Sequence, residues 1–169
     1  FGALCCTPVN PKCQECPLSM HCVSFRDGTT DRLPVKATRK STRKRWFYYY
    51  IIRYGDSVFI QKRVENDIWK SLFQFPLLEV DKELPDEALL DEFFSRNQIS
   101  IADAHILSIS KTTIHQLSHQ QLFTRFLVLN LRKHIGNVPE SWIRIRWEDL
   151  HQYPVPRLIE RYLEEIQFE

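Results

Sequence analysis

An α+β fold is what this 169-residue sequence predicts, on three observations. From Trp46 onward, aromatic and β-branched stretches of strand length are separated by turn residues. Two segments, 85–97 and 156–166, carry apolar residues at helical spacing instead. A cysteine-rich loop and a basic, apolar-poor stretch come before all of these. The expected order is a cysteine loop at 1–25, a basic linker at 26–45, and a mixed-sheet sandwich with two main helices at 46–169.

Each element has its own warrant. In the first 25 residues, Pro8, Pro11 and Pro17 fix turns around the cysteines, and Phe1-Gly2-Ala3-Leu4 reads as the tail of a helix. Residues 26–45 hold too little apolar surface to fold and carry Lys36, Arg39, Lys40, Arg43, Lys44 and Arg45 toward their end. Trp46 to Arg53 has the composition of a buried strand. Tyr54-Gly55-Asp56-Ser57 then turns the chain into a second strand, Val58 to Arg63. An irregular aromatic stretch, Asp67 to Pro76, leads into Leu77–Val80. Pro85 in the first turn, acids following it, and apolar residues at 89, 90, 93 and 94 predict a helix to Asn97. His105–Ser110, Thr112–Ile114 and Leu122–Leu131 read as strands, with the polar patch His115–Gln121 between the last two. Trp142–Trp147 alternates, which predicts a strand with Ile143, Ile145 and Trp147 on one face. Apolar positions 158, 159, 162, 163 and 166 predict the closing helix, and no internal repeat is present.

Composition narrows the function classes. A hydrophobic content of 43 % supports a real core, and a net charge of +2 says little about partners. The cations are clustered, however, and a basic run such as 36–45 either stays solvated or meets phosphates by counterion release. No apolar run approaches the roughly 20 residues that cross a bilayer, so no membrane partner is expected. With no secretory leader and clustered thiols, a reducing cytoplasm is the expected compartment. The chain begins at Phe1 without Met and is expected to be a piece of a longer protein.

Cys6, Cys13, Cys16 and Cys22 stand at the spacing C-x6-C-x2-C-x5-C. Thiolates this close in sequence can wrap one inorganic centre. An iron–sulfur cluster and tetrahedral zinc are the two centres four thiolates hold, and disulfides or free thiols are the remaining use. Cys5 is the odd fifth cysteine and reads as a small packed side chain.

The cysteine spacing resembles the iron–sulfur loop of the helix-hairpin-helix DNA glycosylases, and Phe1-Gly2-Ala3, Cys6-Thr7, Pro11-Lys12-Cys13 and Cys16-Pro17-Leu18 resemble its MutY version. His115-Gln116-Leu117-Ser118-His119 is similar to the R-H-x-F-S-H loop of the C-terminal domain of that family. Ile68-Trp69-Lys70-Ser71-Leu72-Phe73-Gln74-Phe75-Pro76 is similar to its G-L-W-G-G-L-x-x-F-P stretch. The matches come in family order and together span the chain. Two departures stand out: Leu117 occupies a position where the family often has Phe, and Lys70-Ser71 replace two glycines, which implies a different local backbone.

The resemblance implies the C-terminal part of a MutY-type adenine DNA glycosylase of bacterial base-excision repair. Such an enzyme removes adenine opposite 8-oxoguanine, and its C-terminal domain has a Nudix (MutT-like) fold. It implies a 4Fe-4S cluster on Cys6, Cys13, Cys16 and Cys22, and duplex DNA with 8-oxoguanine:adenine mispairs as partner. The family's catalytic Glu and Asp belong to a helical domain that precedes the cysteine loop. No catalytic residue is therefore expected in this chain, which alone should not excise adenine, and that catalytic domain is a further partner. Leu117, Ser118 and His119 become the lesion readers. Oxidation turns guanine N7 into a donor and adds an acceptor at C8, an edge suited to a hydroxyl that both donates and accepts. Lys12, Arg43, Lys44 and Arg45 become phosphate contacts. A Nudix hydrolase is disfavoured, because the 85–97 helix offers Glu87, Asp91 and Glu92 without the Arg-Glu pair or glycines of the Nudix signature. A zinc-binding interaction module is the alternative.

Overall fold

The computed structural model describes residues 2, 4–33, 35, 42–99, 104–131 and 138–166. It forms two compact units, 1–41 and 42–169. The expected helix tail at 1–4 and the linker cations Lys36, Arg39 and Lys40 lie wholly or partly outside the described residues.

In the first unit the backbone advances through a chain of short turns. Lys12 N–H donates to Cys5 O, Cys16 N–H to Cys13 O, Ser19 N–H to Cys16 O and Cys22 N–H to Ser19 O. A 3-10 turn at Ser19–His21 precedes α1 (Val23–Arg26), which Cys22 caps at its N-terminus.

The second unit is built on one long strand, β1 (Arg43–Tyr54). One edge of β1 pairs in parallel with β7 (Gln120–Leu131), in register from Arg43↔Gln120 to Arg53↔Asn130. The other edge is shared between two antiparallel partners. β4 (Leu77–Val80) takes the stretch Trp46–Tyr49, and β2 (Ser57–Lys62) takes the end at Arg53–Tyr54. The far edge of β2 pairs with β8 (Trp142–Arg146), and the edge that meets β1 runs on to pair with β3 (Phe73–Gln74). Beyond β7 lie β5 (Ala104–Ile109) and β6 (Thr113–Gln116).

Alternation along β1 makes two cores. Phe47, Tyr49 and Ile51 face one side, where they join Phe126 and the closing helix α3 (Arg157–Glu165) through Leu158 and Ile159. Tyr48, Tyr50 and Ile52 face the other side and meet Leu89, Phe93 and Phe94 of α2 (Asp86–Asn97). Stacked rings tie both layers: Tyr50 on Phe93 at 3.6 Å and Phe126 on Tyr162 at 3.8 Å between centroids. Burial also pushes the Tyr50 hydroxyl above its ordinary pKa, and the hydroxyl donates to Leu89 O at 2.6 Å. Gln98, left-handed at φ 55°, ends α2.

The structure corrects two expectations and bears out a third. β1 starts at Arg43, so Arg43, Lys44 and Arg45 are strand residues and not linker. The polar patch at 115–121 is mostly strand, with only 117–119 left as a loop. The shared face predicted for Ile143, Ile145 and Trp147 is present, with Ile145 buried and Trp147 packed in the first core and Ile143 left 42 % exposed, while Trp142 packs on the opposite core against Phe59 and Phe93. Among the described residues β8 pairs only with β2, and the core covers just part of its apolar face.

Candidate nucleic-acid interface

The hairpin of β6 and β7 presents the three residues singled out above. Four cross-strand pairs, Thr113↔Thr124 to Gln116↔Gln121, lead up to its tip. Leu117 N–H donates to Gln120 O at 2.8 Å, and the Gln116 side-chain amide donates to Leu117 O at 2.8 Å. Ser118 and His119 are exposed at the tip. Leu117 is half-buried and packs on the first core cluster, so in this structure it anchors the loop. The start of β1 ties the other side, where Arg43 N–H donates to His119 O at 3.2 Å.

Beneath this loop sits a pair of buried arginines. Arg45 belongs to the same alternating set as Phe47, Tyr49 and Ile51 and is 3 % exposed. Its guanidinium forks onto Glu79 at 2.7 and 2.8 Å, donates to Gln120 Oε1 at 2.6 Å, and bonds Asp67. Arg63 donates to Asp67 at 3.2 Å, to Gln74 at 3.1 Å and to Ile68 O at 3.0 Å. Both guanidinium groups lie over Phe47, at 4.9 and 5.8 Å from the ring centroid. Burial alone would lower the Arg45 pKa, but the bonds to Glu79 and Asp67 outweigh it and raise it. The bond from Arg45 holds the Asp67 carboxyl below the usual carboxylate range, against the opposing effect of burial.

This network also fixes the 67–72 loop. Ser71 N–H donates to Arg63 O and Arg63 N–H to Leu72 O, while Trp69 and Ser71 adopt left-handed φ of 60° and 71°. The departure from glycine at Lys70-Ser71 therefore leaves a left-handed backbone at Ser71, at a cost of about 1–2 kcal/mol. The Trp69 ring is set edge-on to Phe47 at 6.3 Å and reaches His115 of β6 at 6.0 Å.

The four basic candidates separate accordingly. Arg43 and Lys44 are exposed, with Arg43 3.7 Å from Asp81 and Lys44 over the Phe123 ring. Arg45 is consumed by its two carboxylates and Gln120, so the expected phosphate contact is corrected to a structural role. Strand alternation carried that signal, since it places Arg45 on the face of Phe47. Asp67, Glu79 and Gln120 had no such mark. In the first unit Lys12 is exposed. On α2, Glu92 pairs with Arg96 and Asp86 with Arg125, whose bond lowers the Asp86 pKa.

All five cysteines are free thiols, and Cys6 is exposed while the others are half-buried. Cys5 donates to Lys12 O at 3.5 Å, and its pKa is raised by burial and by a hydrogen bond with Cys16. The fifth thiol thus lies among the loop's other cysteines, not in an apolar pocket. Among the described residues no three metal-binding side chains are drawn into a ready site. The donor chemistry nonetheless fits a thiolate-bound cluster: four unbonded thiols on one loop whose successive turns are closed by backbone hydrogen bonds. No helix among the described residues is long and apolar enough to cross a membrane.

Residues 47–165 match the Nudix domain family model. The chain belongs to the Nudix domain family. Ahead of its Nudix domain, residues 6–22 match the iron–sulfur binding domain of endonuclease III, and an iron–sulfur cluster is the cofactor of that segment. The chain is 28 % identical over 166 residues to the adenine DNA glycosylase of Buchnera aphidicola subsp. Schizaphis graminum, covering 97 % of this chain and 46 % of that protein. It is 31 % identical over 124 residues to the adenine DNA glycosylase of Buchnera aphidicola subsp. Baizongia pistaciae, covering 73 % and 33 %. The chain thus spans less than half the length of these relatives. Both matches agree with the resemblance to the C-terminal part of MutY-type glycosylases.

The Nudix fold itself is shared with the MutT protein of Methanosarcina mazei Go1 (TM-score 0.55, 12 % identity, 75 % of this chain and 95 % of that one). It is shared too with the C-terminal domain of mouse MUTYH in its complex with human PCNA (TM-score 0.53, 15 % identity, 75 % and 94 %).

Proposed function

We propose that this chain is the lesion-reading part of an adenine DNA glycosylase that acts on 8-oxoguanine:adenine mispairs in duplex DNA. The observation that carries the reading is the loop at 117–119. A hydroxyl and an imidazole stand exposed at its tip, while Leu117, Gln116 and Arg43 fix its base. Ser118 meets the altered N7/C8 edge of the oxidised base, and His119 contacts the ring or an adjoining phosphate. Arg43, Lys44 and Lys12 contribute phosphate contacts.

Cys6, Cys13, Cys16 and Cys22 hold the iron–sulfur cluster. Bound there, the cluster supplies a structural crosslink that couples folding of the loop to cofactor binding. The carboxylates that cleave the glycosidic bond reside in a preceding helical domain, and this chain alone excises nothing. Iron–sulfur loading and base recognition take place in the cytoplasm.

The test is equilibrium binding of the full chain to duplexes that differ only in guanine or 8-oxoguanine. Replacing both Ser118 and His119 with Ala is expected to remove about 2 kcal/mol of discrimination, roughly thirtyfold. Identical discrimination by wild type and double variant sinks the assignment.

A further inference from the structure

At the end of β1 remote from the reading loop, a cavity of about 890 Å³ opens around the β1–β2 turn. Three arginines line it, Arg53 from β1 and Arg144 and Arg146 from β8. Two of them are laid on aromatic rings: Arg144 on Tyr54 at 4.9 Å and Arg53 near Trp147 at 5.8 Å. The third, Arg146, pairs with Glu148 at 3.1 Å, and both side chains are 72 % exposed. The backbone around them is fixed, since Ser57 pairs with Arg146, Phe59 pairs with Arg144, and Trp147 N–H donates to Asp56 O.

We propose that this cavity is a second DNA-backbone site, taking phosphates of the duplex about one helical turn from the base read at 117–119. With its Cζ over the Tyr54 ring, the exposed Arg144 guanidinium carries N–H donors in the planar fork that fits a phosphate. The ring contact also restricts the arginine beforehand, which lowers the ordering cost of binding. Because Arg144 lies over the Tyr54 ring, the site offers guanidinium donors to phosphate there and not an open platform for a base. An exposed pair such as Arg146–Glu148 is weak and opens readily to a stronger anion.

Distance favours a duplex over an acidic peptide. β1 has 12 residues, so about 36 Å separates Arg43, beside the loop, from Tyr54, beside the cavity. One turn of B-form DNA is also about 34–36 Å, so a duplex running along β1 returns the same backbone face at the cavity. This placement rests on the reading of the 117–119 loop as the lesion contact.

The experiment measures binding of the full chain, as a function of salt, to duplexes extending either half a turn or a turn and a half beyond the central base pair. The variants are R144Q/R146Q and, to keep charge without the fork, R144K/R146K. Both arginines are exposed, and circular dichroism checks that the fold is retained. On the long duplex R144Q/R146Q is expected to bind about tenfold more weakly, with the log–log salt slope smaller by about 1.8 for two phosphates. The Lys pair is expected to recover the slope and only part of the affinity. On the short duplex neither variant differs from wild type. Equal losses on both duplexes, or none on the long one, overturn the proposal. So does a glutamate-rich peptide that binds wild type and not the variant while duplex binding is unchanged, which assigns the cavity to an acidic protein. A plain guanine duplex gives the same length dependence, so the cavity is tested even where lesion preference at Ser118 fails.

Discussion

Replacing Arg45 with Met keeps the length and apolar stem of the side chain and removes the fork that joins β1, β4, the 67–72 loop and Gln120. Wild type makes four hydrogen bonds there, three of them to carboxylates. Losing one partner of a fully buried ion pair costs about 3–5 kcal/mol. Here the deserted carboxylates are 27 % and 32 % exposed, so water recovers part of that loss, and Arg63 still holds Asp67. About 3 kcal/mol is the expected destabilisation, which lowers Tm by roughly 10 °C for a domain of this size. Differential scanning calorimetry with urea unfolding measures it. R43A is the control, because an exposed contact of 3.7 Å to Asp81 is worth well under about 1 kcal/mol. Lesion discrimination should fall in R45M as well, since Gln120 is released directly behind His119. R45M within about 1 kcal/mol of wild type would refute the assignment of Arg45 as the clasp of these elements.

Ser71→Gly should stabilise the domain by up to about 1 kcal/mol, because φ of 71° costs glycine nothing, and the same urea titration reads it. Acid should weaken wild type selectively: Asp67 and Asp86 have depressed folded pKa values, so their contribution is complete above about pH 4 and is lost as pH falls through those depressed values. The gap between wild type and R45M should accordingly narrow on acidification, and a gap unchanged down to pH 2 contradicts this. Removing iron with a chelator should bleach the visible absorbance and loosen the first unit. The main unfolding transition, which belongs to residues 42–169, should stay in place, whereas one transition that moves as a whole would show the units to be coupled.

Most of the architecture was legible because both periods were strong. The run from Trp46 to Ile52 has the aromatic and β-branched composition of a buried strand, and residues 158, 159, 162, 163 and 166 recur at the spacing of an amphipathic helix. What could not be read was pairing. Nothing local says that β1 lies parallel to β7, or that its other edge is divided between β4 and β2. The basic run misled for a related reason: Arg43 to Arg45 look alike by composition, and only the strand's alternation, once its start is known, sends Arg45 inward. In the site, the exposed pair Ser118–His119 was marked by a short motif. Its supports, Asp67, Glu79 and Gln120, lie far apart in sequence and carry no signature of their own.

The β1–β7 ladder has a consequence for the nascent chain. Trp46 to Ile52 is a seven-residue uncharged run of aromatic and β-branched side chains, the composition of an aggregation-prone segment. Its parallel partner begins only at Gln120, so at about 5–20 residues per second the strand waits several seconds on the ribosome without it. Arg43, Lys44 and Arg45 on one side and Arg53 on the other bracket the run like gatekeepers, opposing self-association during that interval. Arg45 then leaves solvent for its carboxylates, so a charge that guards the unfolded strand becomes part of the folded interior.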